Sequence, residues 1–172
     1  MSTESMRRAI LATRYLEGGW YAGDDPRDPN PTMEGVTQKA YEAAGYTGSV
    51  RFMTAEQREA IYRKYWDAVP CDLIPAPADA LIFDHAFNAG PEAARKVLQR
   101  AMHVTDDGIL GPVSRGVLAQ IAGGTPAELD LFAHRVLVER LRHYIAIARN
   151  KRLRPNLYSW MHRLTYYAEQ YL

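Results

Sequence analysis

The sequence is short of the residues that build disulfides and metal centres. A single cysteine, Cys71, stands among 172 residues, so no disulfide can form within the chain. That usage is typical of a reducing compartment. The five histidines are scattered and form no H-E-x-x-H pair or Cys/His cluster. The stretch "TDDGILG" has too few acidic positions for a calcium loop. We therefore expect no metal site and no cofactor.

Long apolar runs and a strong charge of one sign are also missing. No apolar run is long enough to span a membrane. The N-terminal stretch is amphipathic and lacks the apolar block and cleavage site of a signal peptide. The net charge is +1, so the overall balance does not favour a nucleic-acid partner. We expect no stable membrane insertion, no nucleic acid and a monomer.

Helical periodicity and capping signals cover most of the chain. Met6, Ile10, Thr13 and Glu17 share one helical face, and the glycine pair that follows Glu17 would end that helix. The stretch from 77 to 90 is apolar nearly all round, which predicts a buried central helix. The sequence predicts a mainly α protein with a short loop or small β-hairpin after the first helix. Further helix starts are marked by Thr37, Thr54 with Gln57, Pro91, Pro112, and Thr125 with Pro126 and Glu128.

The first helix places a carboxyl group directly before two glycines and an acidic, proline-rich loop. A carboxyl group in partly apolar surroundings keeps its proton to higher pH and can act as a general acid, which suits Glu17. Asp24, Asp25 and Asp28 offer a second carboxylate on the loop. Two carboxylates in different environments are what glycosidic hydrolysis needs. The competing interpretation is structural, because glutamate before a capping glycine and Asp-Pro turns are both common.

Several short motifs occur in one order along nearly the whole chain: "LEGGW", "DPRDP", T-x-x-G-V-T, "IYRKYWD", "FDHAFNAG" and "DGILGP". Together they resemble the glycoside hydrolase family 108 muramidases, which include phage endolysins and secretion-associated lysozymes. The stretch "SWMHR" lies where that family's predicted peptidoglycan-binding region has a glycine-tryptophan-arginine motif. The resemblance implies a lysozyme-like helical fold. It also implies a catalytic region over 1–90 and a helical peptidoglycan-binding region over 91–172, packed together as one globule.

The resemblance also implies roles for residues of the opening motif. It makes Glu17 the acid that protonates the leaving group. An aspartate and a threonine would hold the attacking water; these are Asp28, with Asp25 as the alternative, and Thr32, with Thr37 as the alternative. The family loop usually reads D-P-G-G-x-T, whereas this loop reads "DPNPT" and is one residue shorter.

Substrate contacts are predicted at three further positions. Trp20 and Tyr21 follow the glycine pair into the loop and could stack on sugar rings. Asn88 lies one helical turn after Asp84 on the apolar helix. Asn88 could bond a sugar amide, and the alternative for both side chains is a hydrogen-bond network in the core, which we favour for Asp84.

The resemblance therefore implies a peptidoglycan hydrolase that cleaves the β-1,4 bond between N-acetylmuramic acid and N-acetylglucosamine. The alternatives are a peptidoglycan-binding module with weak or no catalysis and a helical interaction protein. From Thr125 onward, eight basic side chains stand against four acidic ones, which could attract an anionic wall. We expect the protein to stay in a host bacterial cytoplasm until a holin or a secretion system releases it to the periplasm or cell wall. Phage and bacterial origins both remain open.

Overall fold

The structure, a computed structural model, describes residues 4–25 and 29–172. Within them the fold is mainly α, with a small sheet after the first helix, as the sequence predicts. The chain forms two compact units, 1–65 and 66–172, and the boundary between them falls inside α3. None of the described helices has the length and apolar character needed to cross a membrane. The helices are α1 (Glu4–Glu17), α2 (Gln38–Ala43), α3 (Ala55–Ala68), α4 (Ala78–Ala89), α5 (Pro91–Ala101), α6 (Pro112–Ala122), α7 (Pro126–Ile147) and α8 (Leu157–Tyr171).

In the first unit, α1 ends where the glycine pair predicts. The α1 face carrying Met6 and Ala9 is buried, which fits the apolar periodicity of this segment. The Gly18 N–H donates to the Arg14 carbonyl, and Gly18 has φ +72°, a conformation that favours glycine. The helix therefore stops at Glu17 and leaves its carboxyl group at the entrance to the loop.

The loop returns as a three-stranded antiparallel sheet made of β1 (Trp20–Tyr21), β2 (Thr32–Met33) and β3 (Val36–Thr37). The two residues between β2 and β3, Glu34 and Gly35, have φ +48° and +75°. Positive φ at both central positions defines the tight turn that matches the twist of a hairpin. The small hairpin expected after the first helix is thus present.

The predicted caps are also found at the starts of the helices. The Thr37 hydroxyl accepts a hydrogen bond from the Ala40 N–H at the start of α2. Thr54 and Gln57 exchange backbone-to-side-chain hydrogen bonds of 2.9 and 3.3 Å before α3. Thr125 and Glu128 form the same reciprocal box before α7. These local signals fix the helix boundaries because each supplies a partner to an otherwise unpaired backbone N–H.

In the second unit, α4 is the buried central helix. Every residue from Ala78 to Ala86 is buried, and α5 and α7 both pack on α4. Asp84 lies in this core and accepts hydrogen bonds of 2.5 Å from both Arg140 of α7 and Arg163 of α8. The structural interpretation of Asp84 is therefore correct.

The "SWMHR" stretch contributes to the same core. Trp160 is buried and stacks on Tyr144, with ring centroids 5.0 Å apart, and Arg163 is one of the two partners of Asp84. Two basic residues of the C-terminal tail, Arg140 and Arg163, therefore point inward and do not belong to a solvated basic face. The reason is that a buried carboxylate needs charged partners of its own.

Candidate active site

Glu17 is half-buried at the last position of α1, and its side chain lies against Gly35 of the hairpin turn. A Cβ atom added at Gly35 would come within 2.6–2.7 Å of the Cγ, Cδ and Oε2 atoms of Glu17. A Cβ atom at Gly18 or Gly19 would meet nothing within 4 Å. The carboxyl group is thus backed by the turn, and the neighbouring glycines leave space beside it.

The hairpin turn that contacts Glu17 is held in place by several bonds of Glu34. The Glu34 N–H donates to the Gly19 carbonyl at 3.1 Å, which ties the turn to the segment after α1. The Glu34 carboxylate pairs with Arg14 at 2.6 Å and with Arg58 at 2.8 Å. The Tyr62 hydroxyl donates to the Glu34 carbonyl at 2.7 Å. Hydrogen bonds therefore fix the backbone of Glu34, and two ion pairs fix its side chain.

The pKa of the Tyr62 hydroxyl depends on the charges around Glu17 and Glu34. Burial raises the pKa of the Tyr62 hydroxyl far above its usual range, and the carboxylates of Glu17 and Glu34 raise it further. Arg14 and Arg58 oppose that shift. The Tyr62 phenol therefore interacts electrostatically with two carboxylates and two guanidinium groups. The hydroxyl stays a hydrogen-bond donor at physiological pH.

The sheet brings the two candidate threonines together. Thr32 of β2 is paired with Thr37 of β3 and, on its other side, with Tyr21 of β1. Directly paired residues of an antiparallel sheet project to the same face, so the three side chains form one row. The Thr37 hydroxyl caps α2, whereas the Thr32 hydroxyl makes no hydrogen bond to another described residue. The Tyr21 hydroxyl accepts from the Asp25 N–H at 3.0 Å and anchors the loop.

The remaining candidates differ in what the structure shows of them. Asp28 lies outside the described residues, so Asp25 is the described loop carboxylate nearest to it in sequence. Trp20 is 37% exposed, and the Arg51 guanidinium lies 5.5 Å from the centre of its ring. An indole that is partly exposed can still stack on a sugar, so the predicted role of Trp20 stays open to test.

Asn88 belongs to the second unit. It is exposed near the end of α4, and its Oδ1 accepts a hydrogen bond of 3.2 Å from the Tyr144 hydroxyl. It also lines a cavity of about 510 Å³, together with Asn156, Ser159 and His143. Asn88 therefore combines a bond to the core with access to a polar cavity. No group of three His, Cys, Asp or Glu residues that could hold a metal ion occurs among the residues described.

Sequence reasoning missed the residues that support Glu17. Glu34 stands at an unassigned position of the T-x-x-G-V-T motif, and its charged partners lie 20 residues before it and 24 residues after it. The one readable signal is the Glu-Gly pair between two short β-prone stretches, which is compatible with a two-residue hairpin turn. Arg14 precedes Glu17 by one helical turn and could have been noticed for that reason.

A carboxyl group at the end of α1, beside a small sheet and within a mainly α chain, is the arrangement that the resemblance to lysozyme-like glycoside hydrolases implies. Residues 10–90, a little under half of the chain, match the glycosyl hydrolase 108 family. A glycosyl hydrolase 108 domain implies peptidoglycan as the substrate. The match does not reach residues 91–172, so a peptidoglycan-binding region there stays a prediction.

The fold is similar to that of a solved structure, SagA of Brucella abortus. The superposition has a TM-score of 0.69 and 25% sequence identity, and it covers 96% of this chain and 97% of the SagA chain. No curated protein matches the chain. The similarity extends across both compact units and supports the lysozyme-like fold.

Proposed function

We propose that the protein is a muramidase that cleaves the β-1,4 bond between N-acetylmuramic acid and N-acetylglucosamine, with Glu17 as the general acid. The observation that supports the proposal is the setting of Glu17. Its side chain is half-buried against Gly35, beside two glycines whose surroundings are open. Partial burial favours the protonated form of a carboxyl group, and open space admits the sugar oxygen that receives the proton.

The second half of the reaction needs a group that holds water on the opposite face of the sugar. Asp28 is proposed for this role, and Asp25, which the Tyr21 hydroxyl holds through its N–H, is the alternative. Thr32 is favoured over Thr37 as the helper, because the Thr37 hydroxyl already accepts the bond that caps α2. A carboxylate that activates water attacks in a single displacement and inverts the anomeric carbon.

Sugar binding is assigned to aromatic and amide groups. Trp20 offers a partly exposed indole next to the glycine pair, and Tyr21 lies in the same row as Thr32. Asn88 offers its amide to the N-acetyl group of a sugar from the edge of the polar cavity in the second unit.

The second unit is proposed to add affinity for the cell wall. Four exposed cationic side chains lie in the segment between α7 and α8. They form no ion pair with another described residue. Anionic groups of the wall would attract such a cluster over a Debye length of about 8 Å at physiological salt. This observation also favours the second candidate function, a wall-binding module with weak catalysis. The four residues are Arg149, Lys151, Arg152 and Arg154.

The test of the catalytic assignment is the Glu17→Gln variant. The amide keeps the shape of the side chain and removes the transferable proton, so lysis of outer-membrane-stripped cells should fall by about 10²-fold or more. Glu42→Gln, an exposed site of the same unit, is the matched control and should keep full activity. A folded Glu17→Gln protein that lyses cells at the wild-type rate would refute the role of Glu17.

A further inference from the structure

Glu34 is involved in neither sugar binding nor water activation in the scheme above, yet its backbone N–H, its backbone carbonyl and its carboxylate are all bonded. We propose that Glu34 is a positioning residue that holds the hairpin turn against Glu17 and neutralises Arg14 and Arg58, so that Glu17 can keep the proton it donates. The inference rests on the proposed function, because it assigns a purpose to the protonated form of Glu17.

The conformation of Glu34 indicates that its place is enforced. Its φ of +48° is unfavourable for a residue with a side chain, and such residues persist where the surroundings hold them. Here the backbone N–H is bonded to Gly19, and the backbone carbonyl to Tyr62. Asparagine, aspartate or glycine would fit the same turn with less strain. A glutamate at this position is therefore explained by a carboxylate on a side chain long enough to reach both Arg14 and Arg58.

The carboxylate bridges two helices of the first unit. Arg14 belongs to α1 and Arg58 to α3, and the Glu34 side chain between them is 13% exposed. Because the next residue, Gly35, is the one that contacts the Glu17 side chain, any movement of the turn moves the surface that backs Glu17. The two ion pairs therefore fix the position of that surface.

The charge of Glu34, as well as its position, affects the protonation of Glu17. Among the described residues, the charged and titratable groups at this corner include Glu17 and Arg14 on α1, Arg58 and Tyr62 on α3, and Glu34 itself. Arg14 precedes Glu17 by one turn of α1, a spacing that brings side chains close together. A nearby cation stabilises the ionised form of a carboxyl group. Without Glu34, two unpaired guanidinium groups would favour loss of the Glu17 proton.

This account predicts shifts of opposite sign for two substitutions. Glu34→Gln removes the negative charge and leaves both guanidinium groups unpaired, so the titration of Glu17 should move to lower pH by about one unit. Arg58→Gln removes one cation and leaves Glu34 in excess, so the titration should move to higher pH. The double variant should return close to the wild-type midpoint. A purely structural role predicts loosening in all three variants and no such pattern of signs.

The experiment is a carbon-13 NMR titration of the full chain labelled at the glutamate side-chain carboxyl carbon. Glu17→Gln identifies the Glu17 signal by its disappearance. Glu4→Gln, which breaks an exposed ion pair with Arg7 on the same helix, is the control and should leave the midpoint unchanged. Circular dichroism verifies that each variant is folded, and if Glu34→Gln does not fold, the Arg58→Gln and double variants still give the direction of the shift.

The titration needs no enzymatic activity, so it separates the two proposals. Opposite shifts for the two single variants support the role of Glu34 even if the protein does not cleave glycan strands, in which case only the muramidase assignment is lost. An unchanged Glu17 midpoint in the folded variants, or shifts of the same sign, would overturn the role of Glu34. In an active enzyme, the alkaline limb of the activity profile should move in parallel with the midpoint.

Discussion

Each compact unit contains a cluster of one carboxylate and two arginines, and the two clusters differ in burial. In the first unit, Glu34 pairs with Arg14 and Arg58, and the three side chains are 13–31% exposed. In the second unit, Asp84 pairs with two arginines and is itself fully buried. The buried cluster joins three helices. The partly exposed cluster of Glu34, Arg14 and Arg58 lies beside Glu17, a carboxyl group that a substrate could reach.

The difference in exposure to water determines how each cluster responds to the loss of one charge. Taking charges out of water is costly, so a fully buried trio tolerates the loss of no member. A trio that keeps contact with water tolerates such a loss and can adjust the charge at a neighbouring site.

The largest effect is expected on the stability of the buried cluster. Asp84→Asn would remove the negative charge that Arg140 and Arg163 share in the core, which should lower the free energy of unfolding by about 3–5 kcal/mol. Urea denaturation measures this loss. Asp106→Asn, which breaks an exposed pair with Arg100, is the control and should cost less than about 1 kcal/mol. Similar losses for the two variants would contradict the structural role of the buried cluster.

The next effect concerns the contact between Gly35 and Glu17, which the partly exposed cluster maintains. Gly35→Ala would drive a methyl group into the Glu17 side chain, so lysis should slow by about 10²-fold, the usual scale for a displaced catalytic group. Gly45→Ala is the matched control, because Gly45 has φ +91° and open space where a Cβ would stand. Both variants carry the strain of an L-residue at positive φ, about 1–2 kcal/mol. Equal lysis by both would show that the contact with Glu17 is irrelevant to catalysis.

The third prediction concerns the titratable neighbour of the buried cluster, His85. Burial, followed by the charges of Arg140 and His143, lowers the pKa of His85 well below its usual value. In the unfolded chain His85 binds a proton near pH 6.5, whereas in the folded protein it stays neutral to lower pH. Its contribution to stability is therefore complete above pH 6.5 and is lost as the pH falls below it, by up to about 1.4 kcal/mol per pH unit.

Replacing His85 by phenylalanine should flatten this pH dependence. Thermal unfolding between pH 5 and pH 7.5 measures the slope for each protein. His134→Gln, at an exposed site of α7, is the control and should keep the wild-type slope. An unchanged slope in His85→Phe would mean that the buried cluster does not keep its neighbour neutral.

The smallest effect is expected from the unpaired cations between α7 and α8, which belong to neither cluster. Replacing all four by glutamine should weaken binding to purified sacculi several-fold and flatten its salt dependence. Hydrolysis of short soluble glycan fragments should stay the same. A fourfold replacement of exposed cations of the first unit (Arg7, Arg8, Lys39 and Lys64) controls for net charge. Loss of fragment hydrolysis with intact sacculus binding would place the cluster in the active site instead.

Local signals made much of the fold predictable. The capping residues Thr37, Thr54 and Thr125 each start a helix where the sequence predicts one, because caps act within three residues. The end of α1 at the glycine pair and the burial of α4 follow from equally local patterns. The three-stranded pairing was less readable, since its strands are only two residues long.

The two charged clusters could not be predicted, because their members are distant in sequence. Asp84 finds its partners 56 and 79 residues away, and a helical arginine can face either solvent or core without a change in local pattern. Glu34 adopts a positive φ that propensity disfavours, and contacts from α1 and α3 override that preference. The position of Glu17 at the end of α1 is readable from the sequence, because the Gly18 that follows it is a local signal.

The proposed reaction makes Glu17 the proton donor of a glycan-cleaving enzyme. The most direct test is mass spectrometry of peptidoglycan digested by the wild-type protein and by Glu17→Gln, each with and without EDTA. The account predicts fragments that end in a reducing N-acetylmuramic acid, released by the wild type in either buffer and nearly absent from the Glu17→Gln digest. New amino termini from the stem peptides, or a reducing N-acetylglucosamine end, would contradict it.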